Sequence, residues 1–214
     1  AEEYKSSEQV ILSVAARLLQ TLGWDIWNPA ETRAGFQGRP GEFPSAVFAL
    51  CLEPDVPAVY VDVCATGTIK DETDRLERAL RDRHRAAPAQ IAVITDGEVW
   101  KLYAPEGDDI AESCFRTIDI VDDDPREQET AFTAFLSKAE IAAGNARGAA
   151  RSIIFQKTAA QTILEVLPEA RRLVTEPPYP RLPEAVAKLA SERGVPVTEE
   201  EAIAVLSRAE IKKP

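Results

Sequence analysis

The sequence predicts an α/β core near residues 1–125, followed by a helical extension over residues 126–214. Three observations lead to this division. Apolar residues recur at helical spacing near the start of the chain, and short apolar runs bounded by turn residues follow them. After Arg126 no strand-like run of any strength appears, and no internal repeat is evident.

The first predicted element is an amphipathic helix over Ser6–Leu22. Ser6 or Ser7 can cap its N-terminus, and Gly23 ends it. Trp24, Ile26 and Trp27 then continue in an extended segment that ends at Pro29. The helix is predicted from apolar residues spaced three or four apart: Val10, Ile11, Val14, Ala15, Leu18, Leu19 and Leu22.

Two strands are predicted after a segment rich in glycine and proline. Residues Thr32–Pro44 hold three glycines and two prolines, which favours a loop or a loose hairpin. The strands are Ser45–Leu52 and Ala58–Ala65, and the short turn-like link Glu53–Pro57 predicts a hairpin between them. In the second strand one face carries Val59, Val61 and Val63, and the other carries Tyr60, Asp62 and Cys64.

The remaining elements alternate between charged and apolar segments. Lys70–Arg85 is predicted to be an exposed helix with a solvated face, because both charge signs alternate along it. Strands are expected at Gln90–Thr95, Val99–Tyr103 and Cys114–Val121, with a turn at Asp96-Gly97. Helices are expected at about 127–143, 151–174, 181–193 and 199–209, and Thr198 with Glu201 fits a capping box.

Composition argues against several kinds of partner, metal site and membrane segment. The net charge of −11 disfavours tight binding to DNA without excluding a local basic groove. Cys51, Cys64 and Cys114 form no CxxC pair and His84 is the single histidine, so a structural zinc site is not expected and the cysteines are expected to be reduced. No run approaches the roughly 20 apolar residues of a membrane span, and the expected compartment is the cytoplasm.

Several local motifs occur in a recognisable order. Glu8 lies on the first helix, and Leu22-Gly23-Trp24-Asp25 ends it; Val47–Leu50, Val61–Ala65 and a hairpin over Ile94–Tyr103 follow. Across about residues 3 to 120, this order resembles the N-terminal nuclease domain of type I restriction enzyme R subunits, which has the PD-(D/E)XK fold. The resemblance implies a restriction-endonuclease-like mixed sheet flanked by helices, followed here by the helical extension.

The resemblance also implies a site chemistry. The family uses an acid on the first helix, an Asp on the first hairpin strand, and an acid and a Lys two residues apart on the second. The carboxylates hold Mg²⁺ and the Lys supplies a positive charge beside the phosphate. Glu8 and Asp62 match the two acids and are the candidate metal ligands, whereas Val47 replaces the Asp and Cys64 replaces the Lys. Valine cannot ligate Mg²⁺, so the nuclease site is expected to be degenerate.

Other interpretations of these residues stay open. Glu8 also suits a helix N-terminus electrostatically. Asp62 can face solvent at a strand edge or form a salt bridge. An active Mg²⁺-dependent DNA endonuclease would need residues from other positions to replace both the missing Asp and the missing Lys. The salt-bridge partners considered are Arg33, Arg39 and Lys70; the migrated candidates are Lys70 or Lys101 for the Lys, and Glu42, Glu53 or Asp55 for the Asp.

The functional expectation is therefore a binding or assembly module without nuclease activity. A protein partner or self-association fits the acidic charge better than DNA, and the helical extension is expected to mediate assembly. A helix-turn-helix at Leu182–Leu206 is disfavoured as a DNA reader, because Glu199, Glu200 and Glu201 would be repelled by phosphate. No cofactor is expected unless the chain is an active nuclease, which would use Mg²⁺. Trp100 and Tyr103 are expected to be packing aromatics.

Overall fold

The computed structural model describes residues 6–36, 46–106, 109–175 and 180–211, and it contains one six-stranded sheet. The strands lie side by side in chain order. β3 and β4 are parallel and every other neighbouring pair is antiparallel, so the predicted mixed sheet flanked by helices is confirmed. The strands are β1 Thr32–Phe36, β2 Ala46–Glu53, β3 Val56–Val63, β4 Ile91–Thr95, β5 Val99–Tyr103 and β6 Cys114–Asp119.

Helices precede, interrupt and follow the sheet. The predicted helical C-terminal part is confirmed, and α3 provides the crossover between parallel strands β3 and β4. The helical elements are α1 Ser7–Val10, a π-helical turn Ile11–Ala15, α2 Ala16–Thr21, α3 Ile69–Ala86, a 3-10 turn Ala111–Ser113, α4 Pro125–Leu136, α5 Lys138–Ala142, α6 Asn145–Leu173, α7 Leu182–Glu192 and α8 Glu199–Ile211.

Two local predictions differ from the structure. The first helix is not continuously α-helical, because a π-helical turn separates α1 from α2; Ser6 caps its start by accepting from the Gln9 N–H. Residues Thr32–Phe36, expected in a loop or loose hairpin, form edge strand β1 paired with β2. Arg39 and Glu42 lie outside the described residues.

One face of the sheet packs against α3. The buried residues of α3 form a stripe of helical spacing that ends in a charged residue: Ile69, Thr73, Leu76, Ala79, Leu80 and Arg83. Tyr60 and Cys64 of the β3 segment pack with this stripe, as the alternation along β3 predicted. Tyr60 donates through its hydroxyl to the Ala87 carbonyl, and Tyr103 donates to Glu77 of α3. This interface encloses the candidate site.

Helix α4 packs against the sheet through aromatic side chains. Trp100 meets Phe132 edge-on with ring centroids 5.3 Å apart, and Phe115 meets Phe135 at 4.8 Å. The buried Trp24 indole, which follows α2, donates to the Leu136 carbonyl at 2.8 Å. These contacts make α4 part of the α/β core, and they confirm that Trp100 is a packing aromatic.

The chain divides into two compact units, residues 1–151 and 152–214, and the boundary falls within α6. Helices α4 and α5 are thus in the first unit. The second has its own apolar core, in which α7 and α8 are in contact and Thr198 and Glu201 form the predicted capping box. Among the described residues, no helix combines the length and apolar character that crossing a membrane requires. The buried members of the second core are Ala159, Ile163, Val166, Ala170, Ala185, Val186, Leu189, Ala190, Val197 and Ala202.

Candidate functional site

The candidate site lies at the centre of the sheet, on strand β3. Asp62 pairs in parallel register with Ile94 of β4. On its other side β3 is antiparallel to β2, and Phe48 pairs with Val61. Val47, one residue before Phe48, is therefore the β2 residue opposite Asp62 of β3. The two strands bring together the positions that the resemblance assigned to the two strand acids.

Asp62 is buried and forms an ion pair with an arginine of helix α3. Its side chain is 3% exposed and that of Arg83 is 1% exposed. Arg83 Nη2 donates to Asp62 Oδ2, and the guanidinium carbon lies 5.7 Å from the centre of the Tyr60 ring, within range of a cation–π contact. A buried carboxylate requires such a partner, because desolvation disfavours an isolated charge.

The partner of Asp62, Arg83, is not one of the three residues considered from the sequence. Arg33 pairs with Asp55 and Lys70 is exposed, so neither of them balances Asp62; Arg39 is outside the described residues. The solvent-facing alternative for Asp62 is also wrong, because β3 is an interior strand of the sheet.

Arg83 is the residue of the candidate site that sequence reasoning missed. Treating Lys70–Arg85 as a solvated face was wrong at this position, since Arg83 is fully buried. The sequence does contain a signal: Leu76, Leu80 and Arg83 follow the four- and three-residue spacing of one helix face. A charge on that apolar stripe, after a strand with a lone Asp among apolar residues, predicts a buried ion pair.

Cys64 provides no cation where the family has Lys. Its thiol is buried and lies 3.5 Å from the Thr95 carbonyl, to which it donates. Burial raises the pKa of the Cys64 thiol, and a hydrogen bond with Thr68 opposes this only in part. The group is thus a neutral thiol at neutral pH. The other cysteines are also reduced thiols; Cys51 is buried and Cys114 is half-buried.

Glu8 lies in a different environment from Asp62. It is in the first turn of α1, exposed to solvent. Hydrogen bonds from its own backbone N–H and from Ser6 hold the pKa of its carboxyl below the usual range, which suits a helix N-terminus. Val47 lies within β2, but its side chain is outside the described residues.

The candidate replacement residues are engaged or exposed. Lys101 is on the same face of the sheet as Asp62, but its Nζ donates to Thr73 Oγ1 at 3.1 Å. Ile94 is paired with Asp62 on one side and with Lys101 on the other, so an apolar side chain separates the two. Asp55 is bound to Arg33, and Glu53 is exposed at the hairpin; Glu42 is outside the described residues.

A second buried carboxylate, Asp96, organises the turn after β4. Its Oδ1 accepts from the N–H groups of Glu98 and Val99, and its Oδ2 accepts from Gly67 N–H at 2.9 Å. Gly97 follows with φ of +92°, and Val10 of α1 packs directly against it. This carboxylate thus satisfies backbone donors in the loops at the ends of parallel strands β3 and β4.

Within the described ranges, no group of three or more His, Cys, Asp or Glu residues is arranged to hold a metal ion. Compared with protein-family models, curated proteins and solved structures, the chain matches none of them. The chemistry of the candidate site therefore follows from its own residues alone.

Proposed function

We propose that this chain is a restriction-endonuclease-like domain in which the nuclease-site positions Asp62 and Cys64 have become part of the packed core, and that it acts as a binding or assembly module. The order of helix, antiparallel strands, helix and parallel strand supports this proposal, because it is the order that the motif resemblance implies. The sequence motifs also occur on the corresponding elements, including the Asp96-Gly97 turn between β4 and β5.

The observation that carries the proposal is the buried ion pair between Asp62 and Arg83. A Mg²⁺ ion requires near-octahedral oxygen ligands and usually keeps several waters. At Asp62 an arginine donates to the carboxylate, and the side chain is almost fully shielded from water. A metal ion would have to displace a guanidinium that is itself buried. The residues present therefore fit Mg²⁺ poorly.

Charge favours a protein partner over nucleic acid. The chain carries −11 at neutral pH, whereas binding to DNA relies on neutralising phosphates with lysine and arginine. The charge of Arg83 is already balanced within the fold by the Asp62 carboxylate. The proposal is thus assembly with protein, and DNA cleavage is the competing function that the experiment must exclude.

The test is a plasmid cleavage assay with the full chain in Mg²⁺ and, separately, in Mn²⁺. We expect no cleavage above a buffer control. Among the residues that the structure describes, no metal ligand set includes Asp62, and the cation that contacts it, Arg83, is buried and paired with its carboxylate. The matched variants are Asp62→Asn, which removes the charge at the site, and Glu129→Gln, which removes an exposed carboxylate of α4 that is no candidate for the site. Metal-dependent cleavage that is lost in Asp62→Asn and kept in Glu129→Gln would overturn the proposal.

A loss of cleavage in Asp62→Asn must be separated from unfolding, since the substitution leaves Arg83 buried beside a neutral amide. The double variant Asp62→Leu with Arg83→Met removes both charges and keeps the packing volume. Circular dichroism establishes that each variant is folded before it is assayed. Cleavage by the folded double variant would show that any nuclease activity resides elsewhere.

A further inference from the structure

The outer strand β6 and helix α4 form a groove at the edge of the sheet. The groove has a volume of about 510 Å³, and Thr130, Ala131, Ala134 and Phe135 of α4 line it. Arg116 of β6 and Arg126 and Glu127 of α4 are also part of its lining. The surface is thus apolar and carries two basic side chains against one acidic one, a combination that suits an apolar side chain next to a carboxylate placed at Arg126.

The two arginines have unused hydrogen-bonding capacity. Among the described residues, the Arg126 guanidinium has no hydrogen bond or ion pair. Arg116 Nε is buried and has no hydrogen-bond partner in the same set of residues. Arg116 Nη2 is 3.9 Å from Glu127 Oε2, which is long for a direct contact. Glu127 thus balances part of the charge of Arg116, and the charge of Arg126 has no partner among the described residues.

The same edge presents an exposed apolar and acidic segment, Ile120-Val121-Asp122, directly after β6. Val121 is 70% exposed and Ile120 is 37% exposed. The carboxylate of Asp122, also exposed, has no partner among the residues that the structure describes. A free acid next to exposed aliphatic side chains complements the basic, apolar groove.

This segment is held in place by hydrogen bonds. The N–H groups of Val121 and Asp122 donate to Asp119 Oδ1 at 2.9 and 3.2 Å. Gln128 Nε2 donates to the Ile120 carbonyl at 3.0 Å. Because the conformation is already fixed, docking the segment into a partner would require little further ordering of its backbone.

Continuation of the sheet by a partner strand is blocked at this end of β6. Asp123 Oδ2 accepts from the Asp119 N–H at 2.9 Å, and Gln128 Nε2 donates to the Asp119 carbonyl at 3.2 Å. Covering backbone groups in this way protects an edge strand from pairing with another chain. Association at this end of β6 must therefore use side chains rather than an extended sheet.

We infer that a second copy of this chain docks at this edge, with Val121 and Asp122 of each copy against the groove and Arg126 of the other. Groove and segment lie at the same sheet edge, so one two-fold axis can satisfy both contacts and close the assembly as a dimer. The inference deepens the proposed function, since it names the partner of the binding module, and it does not depend on the absence of nuclease activity.

Charge reversal tests the inference. The full chain should have the mass of a dimer in light scattering. Arg126→Glu or Asp122→Arg alone should weaken dimerisation by about ten-fold or more, because each places like charges opposite one another twice. An equimolar mixture of the two variants should recover the dimer, since both contacts of the mixed pair again join opposite charges.

A matched control reverses an exposed arginine of α6 in the second unit. Arg171→Glu changes the net charge by the same amount as Arg126→Glu and should dimerise like the unmodified chain. A comparable weakening in this control would mean that net charge, and not the contact between Arg126 and Asp122, governs association, and it would overturn the inference.

The alternatives give distinct results. A monomeric full chain at all concentrations would overturn the inference and leave the edge to another protein or to DNA. Single variants that dimerise normally, or a mixture that stays monomeric, would also overturn it. Metal-dependent cleavage by a chain that still dimerises through this edge would overturn the proposed loss of nuclease activity but not the proposed dimer. A monomer without nuclease activity would overturn the proposed dimer but not the proposed loss of nuclease activity.

Discussion

Charged side chains at the centre of the sheet and at its β6 edge lie in opposite environments. At the centre, the Asp62 carboxylate is buried and its charge is balanced by Arg83 from the helix above it. At the edge, Arg126 and Asp122 are exposed, and neither side chain has a partner among the described residues. The difference separates a position where charge stabilises the fold from a surface where charge is available to a partner.

Under the proposed function, this contrast bears on how a nuclease-like fold can change its role. A metal site needs carboxylates that water and a cation can reach, whereas Asp62 is enclosed between Tyr60, Cys64 and α3. Once an internal cation occupies such a carboxylate, the pair contributes to packing and orientation rather than to metal binding. The surface then becomes the place where function can reside.

The largest expected effect comes from breaking the central ion pair. Arg83→Ala should lower the free energy of unfolding by about 3–5 kcal/mol, because it leaves the Asp62 carboxylate buried without its partner. Urea denaturation followed by circular dichroism measures the change. Asp62→Leu with Arg83→Met should regain most of that stability. A loss below about 1 kcal/mol in the single variant would show that water reaches Asp62.

The contact between the first helix and the turn after β4 is the next most sensitive feature. A Cβ at Gly97 would lie 2.8 Å from Val10 Cγ1, and φ there is +92°. Gly97→Ala should therefore destabilise by about 1–2 kcal/mol from the backbone and by about 1–3 kcal/mol more from overpacking.

Gly67→Ala is the matched control for that substitution. Its φ is +78°, but no described atom lies within 4 Å of its added Cβ, so only the backbone cost should appear. The comparison of the two melting curves isolates the contact with Val10. Equal destabilisation of both variants would mean that α1 is not packed against the turn.

A smaller, pH-dependent effect is expected at His84. Burial and the nearby Arg147 guanidinium lower the pKa of this histidine below its ordinary value of 6.5, while Glu106 opposes the shift. The neutral form is favoured in the fold, so the stability is complete above pH 6.5 and decreases as the pH falls below that value.

Because His84 is the single histidine, its C2 proton gives one resolved titration curve by NMR. Arg147→Gln should raise the pKa toward the ordinary value, and Glu106→Gln should lower it further. A pKa at or above 6.5 in the unmodified chain would contradict the burial of the ring beside Arg147.

The smallest effect on stability is expected at the edge. Arg126→Glu and Asp122→Arg should each change the unfolding free energy of the isolated protomer by no more than about 0.5 kcal/mol, because both side chains are exposed. Thermal melts at concentrations below the dimer dissociation constant measure this. A loss of unfolding free energy comparable to that of Arg83→Ala would show that Arg126 and Asp122 stabilise the fold, and it would contradict their role as surface charges that bind a partner.

Much of the fold could be predicted because its signals are local. The alternation along β3 placed Tyr60, Asp62 and Cys64 on one face, and the Asp96-Gly97 pair placed the turn between β4 and β5. Edge strand β1 was missed because Gly35 lies within it, and three glycines with two prolines favour a loop. The π-helical turn in the first helix leaves the apolar spacing almost unchanged, so periodicity did not detect it.

The site was harder to predict than the fold, since it depends on contacts between distant residues. Asp62 was recognised as unusual from its position in an apolar strand, but its partner lies 21 residues further along the chain. The contacts of α4 are likewise between distant residues: Trp100 of β5 packs against Phe132, and the Trp24 indole, which follows α2, donates to the Leu136 carbonyl. A truncation that tests assembly should therefore end within α6 near residue 151 and not at Asp124.

Mn²⁺ binding tests the central claim most directly, because it asks whether Asp62 is available to a cation. Isothermal titration should compare the full chain with the folded double variant Asp62→Leu with Arg83→Met. We predict the same weak, unsaturated binding in both proteins, since the remaining acidic surface is unchanged. A saturable site present in the full chain and absent from the double variant would contradict the account.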